Sequence, residues 1–180
     1  MTPAAAQVQT QPPSVTPQVQ PQQQPPSVTP QAPAGQRFGD WVQRCTTEPP
    51  QGASPPPPGK QEVCFLLQQV LVQDAQRPVL TITIGYFGPE REAIAVIDTQ
   101  LRVPLANGVH VAVDGGDVGS TPFEFCHRDG CRAFLPLTEK LVTAFKAGSM
   151  GAVQMRSSGG DQVNLPISLK GFTAGFGSIQ

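Results

Sequence analysis

Little of this 180-residue chain is charged, and its charge is nowhere concentrated. Twelve basic residues stand against thirteen acidic ones, a net charge of −1, and no Lys/Arg-rich run is present that would neutralise a row of phosphates or hold an anionic bilayer. Nucleic acid is therefore not an expected partner. Long hydrophobic runs are missing too. Stretches such as Val70–Val72 and Ile82–Phe87 fall far short of the ~20 apolar residues that a membrane-spanning helix needs, so no transmembrane segment is expected. Catalytic signatures are equally absent: there is no G-x-S-x-G elbow, no H-E-x-x-H pair, no Walker loop and no Rossmann fingerprint. No cofactor and no metal are expected. The start of the chain lacks the basic and apolar regions of a secretory signal, because Met1 runs straight into TPAAAQVQ. The expectation is that an export signal has been removed ahead of it, with a cytosolic home as the alternative.

Proline is abundant instead, with 21 residues, most of them before Gly35 or in the run Pro55–Pro58. Residues 1–36 consist mainly of Pro, Gln, Ala, Thr, Ser and Val, and QPPSVTPQ begins at Gln11 and again at Gln24. A segment with no aromatic residue and only scattered valine buries too little apolar surface to offset the entropy of ordering. It reads as a disordered, polyproline-biased tether. Two short copies are too few for a solenoid.

From Arg37 the composition changes, and residues 37–180 read as one folded domain. Trp41, Gln43 and Cys45 alternate with Val42 and Arg44; Leu80, Ile82, Ile84 and Tyr86 alternate with Val79, Thr81 and Thr83. Period two is the mark of a half-buried strand. The turn Gly88–Arg91 leads into Ala93–Ile97 as a hairpin, and Asn107-Gly108 introduces Val109, Val111 and Val113, closed by the Asp114-Gly115-Gly116-Asp117 turn. Two more strands follow near Val153 and Val163. Only Leu137–Gly148 has helical spacing, with Thr138 placed to cap its start and Gly148 just past its end. Short strands with glycine-rich turns and one short helix argue for an all-β, antiparallel β-sandwich, with a closed barrel as the competitor.

The phrase FCHRDGCRAF holds Cys126 and Cys131, while Cys45 and Cys64 lie far upstream. A zinc site wants two knuckles, and Cys45 and Cys64 are too far apart to form the second. A thiol nucleophile wants a base, yet His110 lies in a valine-rich strand and His127 in a polar turn. A hairpin with His127–Gly130 as its loop sets Cys126 opposite Cys131, within disulfide reach. That register also sets Phe125 opposite Arg132 and Phe123 opposite Phe134, with the Phe123/Phe134 pair facing the core. Asp114 and Asp117 lack the further oxygen ligands of a calcium loop and read as a turn. Four cysteines in a β-rich chain point to an oxidising compartment if the bonds exist.

The chain resembles the invasion-associated locus B family of bacterial envelope proteins. The resemblance rests on GDWVQRC at Gly39–Cys45, CFLLQQ at Cys64–Gln69, GYFGP at Gly85–Pro89, VDGG at Val113–Gly116, FCHRDGCRAFLPL at Phe125–Leu137 and SLKGFTAGF at Ser168–Phe176. It implies an immunoglobulin-like β-sandwich and disulfides among Cys45, Cys64, Cys126 and Cys131. On this reading the bonds join Cys45 to Cys64 and Cys126 to Cys131. It also implies a periplasmic, cell-surface or secreted protein. The Pro/Gln-rich segment and the proline run between Cys45 and Cys64 depart from the family's compact pattern.

Two functional classes follow. The first is a non-catalytic, exported interaction module that binds a protein partner in the envelope or on a host surface. The second is a periplasmic hydrolase whose site combines Glu, Asp and the two histidines. Phe172 and Phe176, four residues apart among Gly171, Gly175 and Gly177, either close the bottom of the core or leave a ring exposed beside a terminal edge strand, where a partner would bind.

Overall fold

Side-chain alternation builds the larger of two sheets in this computed structural model, which describes residues 35–47, 62–72, 76–87, 92–100 and 103–180. In β3 (Val63–Val70), β4 (Leu80–Tyr86) and β5 (Ala93–Thr99), neighbouring residues point to opposite faces. The antiparallel register aligns Leu66, Ile84 and Ala95 in one row and Leu67, Thr83 and Val96 in the next. With β1 (Gln36–Phe38), β2 (Trp41–Thr46), β8 (Phe123–His127) and β9 (Gly130–Pro136), these strands form a seven-stranded sheet ordered β1-β2-β3-β4-β5-β9-β8. The smaller sheet is ordered β11-β10-β6-β7, from β6 (Val109–Val113), β7 (Gly116–Thr121), β10 (Met150–Arg156) and β11 (Gln162–Ser168). Leu66, Ile82, Ile84 and Ile97 of one sheet share a buried core with Val109, Val111, Val153 and Ile167 of the other. Two separate sheets packed on one core make a sandwich, which removes the barrel. Gln36, assigned by composition to the tether, pairs with Gln43 in the first strand; residues 1–34, the Pro55–Pro58 run and the expected Gly88–Arg91 turn lie outside the described residues.

Helix α1 (Glu139–Ala147) is capped as its sequence predicts: the Thr138 side chain accepts a hydrogen bond from the Leu141 N–H, and Leu141 and Phe145 are buried. Its end at Gly148 has an extended backbone. The glycine is required there by crowding, since a Cβ would collide with the Val113 side chain.

A second helix corrects the expectation of one. α2 (Phe172–Ser178) is entered through Gly171 in the left-handed conformation at φ 87°. Phe172 and Phe176 fall one helical turn apart, and their rings stack at 5.3 Å. Phe172 meets Trp41 at 5.6 Å and Phe145 at 5.2 Å. Glycine-rich composition hid this helix; the spacing of its two rings was the available sign.

At one end of the sandwich a buried polar clamp joins the sheets. The Gln68 amide donates to the carbonyls of Asp40 (3.3 Å) and Ser168 (3.0 Å), and its oxygen accepts from the Ser168 N–H at 2.8 Å. The Trp41 indole N–H adds a bond to the Ser168 carbonyl at 2.9 Å. β3 is thereby tied to the end of β11, and the polar atoms of the buried Gln68 and Trp41 side chains find partners.

Candidate functional site

The cysteine hairpin is the natural place to begin. Cys126 is bonded to Cys131 and Cys45 to Cys64, and no described cysteine is free. Thiol titration of unreduced protein in denaturant should find no reactive thiol, and peptide mass mapping should recover these two pairs. Four titratable thiols would refute both bonds.

Around the hairpin the register departs from expectation by one residue. Phe125 does face Arg132, but a bulge at Glu124 sets Phe123 opposite Ala133 instead of Phe134. The bulge absorbs the extra residue. Phe123 still reaches the core, with Cys131, Ala133 and Leu135. Phe134 falls on the outer face, where its ring lies 6.3 Å from that of Phe125.

Phe125 is 40% exposed. Its ring lies 6.3 Å from the His127 imidazole and 5.9 Å from the Arg132 guanidinium. Arg132 is held from the other side by Asp98 through two bonds of 2.7 and 3.0 Å. A bidentate pair on adjacent strands fixes the guanidinium plane, which gives the ring a rigid cationic neighbour. The aromatic and its support belong to β8 and β9, at the margin of the larger sheet.

Beside this pair opens a cleft of ≈ 440 Å³, lined by Arg77, Asp98, Thr99, His127, Asp129 and Arg132 among others. Its charged groups are engaged with one another. Arg77 meets Asp129 at 3.1 Å, and the Asp129 N–H donates to His127 Nδ1 at 3.3 Å. His110 lies in a different place, on the outer face of the smaller sheet, with Asp117 at 3.7 Å, in a cleft of ≈ 260 Å³. The two histidines therefore belong to separate surfaces on separate sheets. Among the described residues no three His, Cys, Asp or Glu side chains converge as a metal cage would require.

Other sequence candidates have structural roles. Asp114, at φ 46°, forms with Gly115 the two-residue turn between β6 and β7, and its carboxylate accepts the N–H groups of Ser149 (3.1 Å) and Met150 (3.0 Å). Asp117 accepts the Gly119 N–H at 3.0 Å. Phe172 is 0% and Phe176 3% exposed. Of the two readings open for this pair, the core one holds: both rings are buried, which corrects their assignment as partner-binding residues. Among the described residues the aromatic that is exposed is Phe125; alternation alone does not reveal which face of an edge strand is covered, so its sequence does not mark it as such.

No described helix is long and apolar enough to cross a membrane. Residues 41–180 match the family model described as Invasion associated locus B (IalB) protein. The crystal structure of invasion associated protein B from Bartonella henselae is similar in fold, with a TM-score of 0.65 at 20% identity, over 82% of this chain and 96% of that one. No curated protein matches the chain.

Proposed function

Because this chain belongs to the invasion associated locus B family, we propose that it is a non-catalytic, exported interaction module of the bacterial envelope, docking a protein partner through the Phe125 margin. The observation that carries this reading is an exposed ring set against a fixed arginine on an edge strand, beside a cleft whose charges are already paired. Aromatic and arginine side chains dominate binding energy at protein interfaces. An edge strand adds unpaired backbone groups that can accept an extended segment. Two disulfides support export to an oxidising compartment.

Phe125→Ala tests the proposal. A ring this exposed should change stability by no more than ~0.5–1 kcal/mol, measured by urea unfolding. Affinity capture from envelope fractions should recover a partner with the parent protein and lose it with the variant. If the folded variant recovers everything the parent does, the docking surface is elsewhere.

A further inference from the structure

β8 is an outer strand of the larger sheet, paired with β9 on one side and open on the other among the described residues. Its residues from Glu124 to His127 are exposed. β11, an outer strand of the smaller sheet, carries Pro166, which has no N–H to offer a further strand. β8 has no proline.

The backbone fixes where a further strand would bond. Arg128 and Asp129 form the two-residue turn of the β8–β9 hairpin, so His127 and Gly130 close it as a hydrogen-bonded pair. Bonded and non-bonded pairs alternate along an antiparallel ladder, which makes Cys126 and Cys131 a non-bonded pair. Their Cα separation of 4.0 Å agrees, since non-bonded pairs stand about 4.5 Å apart and bonded ones about 5.5 Å. The N–H and C=O of Cys126 therefore point away from β9, toward the open edge.

The side chains are self-complementary about that same residue. Glu124-Phe125-Cys126-His127-Arg128 runs from an acid through two aromatic rings, one on each side of the cysteine, to a base. An antiparallel copy with Cys126 opposite Cys126 sets Phe125 against His127 of the second copy and Glu124 against Arg128 of the second copy. Arg128 is 90% exposed, where it meets the adjacent Asp129 at 3.5 Å. The rings of Phe125 and His127 lie 6.3 Å apart within one chain, so two copies bring four rings together. A two-fold axis doubles every contact, because each residue pair occurs twice.

We propose that the occupant of this edge is a second copy of the chain, paired β8 to β8 about a two-fold axis at Cys126, which joins two seven-stranded sheets into one. The proposal rests on the reading that the Phe125 margin docks a protein, and it names that protein. The bulge at Glu124 shortens the stretch that can pair, so the dimer is small and reversible. The Cys126 sulfur is already bonded to Cys131, and the copies associate without a covalent link.

Sedimentation of the full oxidised chain up to about 0.5 mM, a range that populates weak interfaces, should show a monomer–dimer equilibrium. Glu124→Arg or Arg128→Glu alone sets like charges opposite each other and should weaken dimerisation at least about tenfold. Both positions are exposed, and circular dichroism should show each variant folded as the parent is. The two variants mixed should pair with each other, since each supplies the charge that the other lacks. Both changes in one chain should restore the parent's dimer. A parent that stays monomeric overturns the proposal, as does a single variant that associates as the parent does, or a mixture no more associated than either variant alone. If the parent stays monomeric while Phe125→Ala still abolishes capture of a different envelope protein, the margin docks that protein and only the assignment to a second copy falls.

Discussion

Phe172→Ala should lower stability by about 3–5 kcal/mol, the range for removing a fully buried aromatic ring. The ring sits where β2, α1 and α2 converge, against Trp41, Phe145 and Phe176. Phe145 and Phe176 are anchored on helices closed by glycine at one end, but Trp41 is held in β2, which pairs with a strand on each side and cannot shift without breaking ladder bonds. The cavity should therefore persist rather than collapse, which places the cost toward the upper part of the range. Urea unfolding at constant m-value measures it. A loss below about 1 kcal/mol would contradict a rigid, fully packed site for this ring.

Gln68→Leu should cost about 1–3 kcal/mol. Leucine is the better hydrophobe and nearly fills the same space, so a purely apolar view of the core predicts a gain. The hydrogen bonds decide the sign. Replacement leaves the Ser168 N–H, on a half-buried residue, without its Gln68 partner, and an unsatisfied group of this kind costs about 1–3 kcal/mol; Asp40 is exposed, so its carbonyl turns to water. The Ser168 carbonyl keeps its Trp41 bond. Amide exchange at Ser168 should accelerate together with the loss of stability. A variant as stable as the parent, with Ser168 still protected, would show that water or a shifted chain takes over the clamp.

Much of this fold was legible because period-two patterning is a direct imprint of the pleat. Val79–Phe87 and Val109–Val113 announce their strands without help from distant residues. The missed elements share a cause. β7, with the sequence GDVGST, and α2, with FTAGFGS, are rich in glycine, whose local preference is weak, so their conformations are set by what they pack against. Glu124 shows a different limit: composition places a hairpin but does not say where a bulge will absorb a residue, and one residue decides which face Phe134 occupies. The candidate docking ring was hidden for a related reason. Phe125 and Phe123 are the same residue type two positions apart, and only the bulge between them separates the exposed one from the buried one.

Both disulfides join residues that lie directly opposite each other on neighbouring strands, Cys45 with Cys64 and Cys126 with Cys131. A strand slipped by a single residue turns its cysteine to the other side of the sheet, out of reach of its mate. Once closed, each bond therefore excludes the slipped alignment, because a shifted register would require the bond to break; the two bonds pin the registers of β2 on β3 and of β8 on β9.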